Sequence, residues 1–62
     1  MDEWKAEEAR GPDNELLYYI VKKNGRSVIN CFSYEEIGIT LEDARKHAEM
    51  IAYMLNNRGL EL

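Results

Sequence analysis

The chain has little with which to staple itself. It carries one cysteine, Cys31, one histidine, His47, and one proline, Pro12, in 62 residues. A lone cysteine forms no internal disulfide, and one cysteine with one histidine falls short of the four ligands of a structural zinc site. No apolar run approaches the ~18 residues of a membrane-spanning helix, and the N-terminus is acidic where a secretory signal would be basic. A free thiol without a secretory address implies the cytoplasm. The reading therefore contains no cofactor, no metal and no membrane.

Cationic excess is also missing. The net charge is −4, and it is unevenly placed. Residues 1–15 hold Asp2, Glu3, Glu7, Glu8, Asp13 and Glu15 against Lys5 and Arg10, whereas residues 16–62 carry six acids and six bases. The body is balanced and the acidity belongs to a leader. A chain this short buries only about 60% of the surface its unfolded form exposes. With no disulfide or metal to help, association with another chain is the remaining route to a larger core.

What is present is most legible between Thr40 and Leu60. Thr40 can cap a helix by accepting from the backbone N–H of Asp43, and Thr40-x-x-Asp43 has the spacing of a capping box with Asp in place of Glu. Arg58 in a last turn, Gly59 able to take positive φ, and Leu60 placed to touch Leu55 read as a Schellman stop. The spacing predicts a helix over 41–57, with Leu41, Ala44, Ala48, Ile51, Ala52 and Leu55 on one stripe. His47, Met50, Tyr53 and Met54 project elsewhere and form a second apolar surface.

Ahead of the helix, two runs of β-branched and aromatic residues, 16–23 and 26–33, flank Asn24-Gly25. That is the strongest short-range hairpin signal, because a type I′ turn needs positive φ at both positions. A two-residue loop predicts Lys23 opposite Arg26, Val21 opposite Val28, Tyr19 opposite Asn30 and Leu17 opposite Phe32. Alternation then puts Leu17, Tyr19, Val21, Val28 and Phe32 on one face and Leu16, Tyr18, Ile20, Ile29 and Cys31 on the other. Both faces are apolar, so one packs on the helix and the other needs a cover. The candidates are the Trp4 segment, the Ile37 to Ile39 stretch, or another chain.

Two segments keep alternative readings. Residues 1–14 are an acidic leader, either frayed or a short helix docked through Trp4, ending at Gly11-Pro12 with turn chemistry in Pro12-Asp13-Asn14. Ser33 to Ile39 is an irregular connector or a short third strand at the edge. The fold class is a small α+β domain over 15–62, ββα in order, with an antiparallel hairpin packed on one C-terminal amphipathic helix.

No residues assemble into a catalytic set. His47 and Cys31 serve as base and nucleophile only if their elements meet, and the predicted register supplies no such meeting. Glu35-Glu36 and Glu42-Asp43 read as solvated charges at a loop and a helix start. The chain is read as non-enzymatic. The expectation is a protein-interaction module, a homodimer that regulates or inhibits a larger partner, as phage and mobile-element proteins can. Its interface residues are His47, Met50, Tyr53 and Met54 on the helix and Tyr18, Ile20 and Ile29 on the hairpin.

The one concentrated positive feature is Lys22, Lys23 and Arg26 at the hairpin tip. Tyr-Ile-Val-Lys-Lys-Asn-Gly-Arg-Ser-Val, followed by Phe32 and by Thr40 opening a helix with Ala44 and Ala48, resembles the order of integrase arm-binding and AP2-type DNA-binding domains over residues 18–52. The resemblance implies a three-stranded sheet laid in the major groove, with Lys22, Lys23 and Arg26 as phosphate contacts. The neutral body departs from the strongly basic sheets of those families, and phosphate neutralisation dominates such binding.

Overall fold

The computed structural model describes residues 3–58. Three strands form one antiparallel sheet in the order β1 (Trp4–Arg10), β2 (Leu16–Lys23), β3 (Arg26–Cys31). A single 3₁₀ turn, Glu35–Ile37, leads into α1 (Leu41–Arg58), which lies across one face of the sheet. The protein is a small α+β domain. Among the described residues no helix is long and apolar enough to cross a membrane.

The local signals for the hairpin and the helix start hold. Asn24 and Gly25 both have positive φ, 51° and 83°, as the two-residue turn requires. Thr40 Oγ1 accepts from Asp43 N at 3.2 Å, and the Asp43 carboxylate accepts from Thr40 N at 2.9 Å, so the capping box closes in both directions. The helix runs to Arg58, and the predicted Gly59–Leu60 stop lies outside the described residues. Ala44, Ala48 and Ala52 are buried on the predicted stripe, with Ile51 and Leu55 packed against the core. Their lack of bulk lets the helix approach the sheet closely, where Trp4, Tyr19, Val21 and Cys31 complete the core.

The N-terminal expectation is corrected. Residues 4–10 are neither a frayed leader nor a helix but a full strand paired antiparallel to β2, from Trp4 opposite Lys23 to Arg10 opposite Leu16. Tertiary pairing overrides the helix propensity of Lys-Ala-Glu-Glu-Ala. Trp4 is 3% exposed, and its backbone is held by the Asn56 side chain, which accepts from Trp4 N at 2.8 Å and donates to Trp4 O at 2.9 Å. Lys23 lies 5.6 Å from the Trp4 ring centre, a cation–π distance. The loop back to β2 uses the anticipated turn chemistry, with Asn14 at φ 62° and Asn14 N donating to Gly11 O at 2.9 Å.

The third strand is thus supplied by the N-terminus. Ser33 to Ile39 holds the 3₁₀ turn closed by an isolated bridge between Tyr34 and Ile39.

The hairpin register is also corrected. Lys23 faces Arg26 and Lys22 faces Ser27, as the turn dictates, but Val21 then faces Ile29 and Tyr19 faces Cys31. Val28 is an extra residue, a β-bulge that shifts the rest of β3 by one and exchanges its faces. Ile29 and Cys31 consequently join Tyr19 and Val21 on the helix side, with Cys31 buried and Ile29 half-buried. A second irregularity near Arg10 leaves Leu17 unmatched in β2. Both extra residues are exposed and apolar.

Candidate functional site

Cross-strand partners share a face, so the register separates two surfaces. On the side away from the helix lie Lys5, Lys22 and Ser27, then Glu7, Ile20 and Asn30, then Ala9 and Tyr18. Lys22 Nζ pairs with Glu7 at 3.1 Å, and Tyr18 packs its ring 4.7 Å from that of Phe32. Tyr18 and Ile20 are half-buried there by these neighbours. β1 extends the sheet sideways and does not cover this face, so of the three candidate covers the Trp4 segment is not the one the fold provides.

The basic residues do not gather into one patch. Lys22 sits on the outer face, compensated by Glu7, while Lys23 belongs with Trp4 on the other side. Arg26, paired across from Lys23, is exposed at the tip. The three-stranded sheet that the DNA-binding resemblance implies is present, with its first strand drawn from the N-terminus. Its outer face carries mixed charge.

The candidate interface residues also separate. Ile29 does not share a face with Tyr18 and Ile20; the bulge at Val28 turns it toward the helix. At about 100° per residue, Asp43, His47, Met50, Ile51 and Met54 form one flank of α1. Asn56, which binds Trp4 beside β1, lies on the opposite flank. The His47 flank therefore borders β3. Tyr53, 69% exposed, stands farther round on the side away from the sheet.

Between β3 and that flank runs a groove of about 290 Å³, lined by Ile29, Asn30, Cys31, Phe32, Tyr34 and Ile39 on the sheet side and by Asp43, Ala44, His47 and Ile51 of α1. Cys31 and His47 line the same groove, a meeting the predicted register did not contain. The chemistry stays poor: burial pushes the Cys31 thiol above its ordinary pKa, which disfavours the thiolate a nucleophile needs. Among the described residues no group of three His, Cys, Asp or Glu side chains could hold a metal.

The groove lies beside an unprotected sheet edge. β1 and β3 are the two edge strands. β1 carries Lys5, Glu7, Glu8 and Arg10, the charged pattern that discourages further pairing, whereas β3 has no charge from Ser27 to Cys31. Val28 is exposed on this edge toward the hairpin tip, and Phe32, Tyr34 and Ile39 are exposed beyond its other end, with Met50 and Met54 exposed on the helix flank. Sequence reasoning missed the edge residues. The available signal was the uncharged run 27–32, which reads as core until β3 is known to be an edge.

No protein-family model, no curated protein and no solved structure matches this chain.

Proposed function

We propose that the protein is a non-enzymatic interaction module that binds another polypeptide along β3. The observation that carries this reading is the uncharged, open β3 edge running beside an apolar groove. Backbone groups on the free side of β3 can pair with an added strand, and the groove can take alternate side chains from it, the mode in which main-chain bonds supply affinity and pockets supply selectivity. Met50 and Met54 on the helix flank give adaptable apolar contact next to it. Regulation or inhibition of a larger partner suits a binding surface that occupies so much of so small a domain. The reduced, buried Cys31 suits a cytoplasmic setting.

The test compares the wild-type chain with Val28→Lys as bait. Val28 is exposed, so the lysine leaves the core intact while placing a charge on the edge. Partners captured by the wild type are expected to be lost with Val28→Lys and kept with Glu7→Gln on the outer face. Equal capture by both variants would overturn the reading. Duplex DNA is the competing outcome. Salt-sensitive binding abolished in a Lys22, Lys23, Arg26 to Ala triple variant and untouched by Val28→Lys would replace the polypeptide with nucleic acid.

A further inference from the structure

We infer that the strand added to β3 is β3 of a second copy, paired antiparallel about a two-fold axis at Asn30, so that two three-stranded sheets join into one of six. This rests on the interaction reading above and names its partner.

The faces restrict the register first. A two-fold axis perpendicular to the sheet keeps both helices on one side, so Ile29 and Cys31, which face α1, must lie opposite residues that also face a helix. Only axes at Ile29 or at Asn30 satisfy this near the middle of the strand. An axis at Ile29 sets exposed Val28 against Asn30 and exposed Phe32 against Arg26. An axis at Asn30 sets Val28 against Phe32, so that two apolar side chains, each 44% exposed, cover one another, and it pairs Ile29 with Cys31 over the groove.

Charge favours the antiparallel arrangement: it brings Arg26, at the start of β3, to the end where β3 of the second copy has passed into Glu35 and Glu36. All three charged residues are exposed. Two Arg26 to Glu35–Glu36 contacts form, related by the axis, and no like charges oppose one another along the strand. A strand from an unrelated protein has no reason to match this spacing of apolar and charged positions, which is set within the chain itself. The interface is isologous.

Sedimentation equilibrium on the full chain is expected to give twice the 7.3 kDa chain mass, and Val28→Lys to give the single mass with an unchanged far-UV circular dichroism spectrum. Arg26→Glu and the double variant Glu35→Lys/Glu36→Lys should each lose the dimer alone and recover it when mixed, because both contacts are then opposite in sign. The register is read by Asn30→Cys in a Cys31→Ser background, which should oxidise to a disulfide-linked dimer, since directly opposed strand residues lie within disulfide reach. A monomer at every concentration, a dimer that survives Val28→Lys, or failure of Asn30→Cys to cross-link would each overturn the inference. If the chain is monomeric yet a partner is still lost with Val28→Lys, the second copy is refuted and the interaction reading stands. If neither dimer nor partner responds to Val28→Lys, both fall.

Discussion

The side-chain amide of Asn56 pairs with the backbone of Trp4 as a neighbouring strand would, donating to its carbonyl at 2.9 Å and accepting from its N–H at 2.8 Å across 52 positions of sequence. The two contacts close the domain. They fasten the first residue of β1 to the last turns of α1, so the N-terminal strand is held at its start by the helix and along its length by β2. The far end of the sheet has no counterpart of this clamp among the described residues.

Replacing Asn56 by Ala should leave both Trp4 backbone groups unsatisfied at a part-buried site. A loss of about 1–3 kcal/mol is expected, measured by urea unfolding. Amide exchange should quicken in β1 more than in β2 or β3, and the Trp4 fluorescence should shift to the red. Equal quickening in all three strands would show that Asn56 does not act through β1.

Deleting Val28 should be tolerated where deleting Asn30 is not. The bulge residue is exposed, and its removal keeps Ile29 opposite Val21 and Cys31 buried. Removing Asn30 would turn Cys31 outward and drive Phe32 into its place, overfilling a core built on small residues. Reactivity of Cys31 toward a thiol reagent separates the two: slow in the wild type and in the Val28 deletion, fast in the Asn30 deletion.

The Cys31 thiol gives the protein an alkaline weakness. Burial raises its pKa above the ordinary 9.0, so the unfolded chain loses this proton at lower pH than the folded one does. Stability from this group is complete below pH 9 and falls as pH rises from 9 toward the folded value. Cys31→Ala should flatten the alkaline limb of a pH–stability curve, and an unchanged limb would refute the assignment.

The helix start gives an acid weakness of opposite sign. Hydrogen bonds from the backbone N–H and the hydroxyl of Thr40 hold the Asp43 carboxyl below its usual range, and the Arg45 guanidinium does the same for Glu42. Their contribution is present above the ordinary carboxylate pKa and is lost as pH falls through the lowered folded values. Thr40→Ala removes the cap and should cost about 1 kcal/mol near neutral pH, with a smaller loss in acid, where Asp43 is already protonated. Equal losses at both pH values would separate the cap from the carboxylate.

Where side-chain chemistry acts on its own backbone, the sequence was readable. Asn24-Gly25 and Thr40-x-x-Asp43 specify a turn and a cap through groups within a few residues of each other, and the alanine stripe of α1 follows from periodicity. β1 was not readable, because Lys5 to Ala9 favours helix locally and becomes a strand only through β2 and Asn56. The bulge was equally hidden: Val28 and Ile29 are alike in chemistry, and which of them is the extra residue is decided by packing under α1. That one slip exchanged the faces of β3, separating Ile29 from Tyr18 and Ile20 and bringing Cys31 to His47. The helix flank of His47, Met50 and Met54 was visible in the sequence, while the uncharged edge beside it required the strand order.

The difference between the two sheet edges bears on how far any edge-to-edge growth can run. A ribbon with two receptive edges recruits indefinitely and ends as a fibre. Here only one margin is uncharged over most of its length, since the other displays Lys5, Glu7, Glu8 and Arg10 and passes directly into Gly11-Pro12. With β3 paired, the edge left among the described residues is the charged one, which disfavours further strand addition. The charges on β1 would then end growth at a pair of sheets.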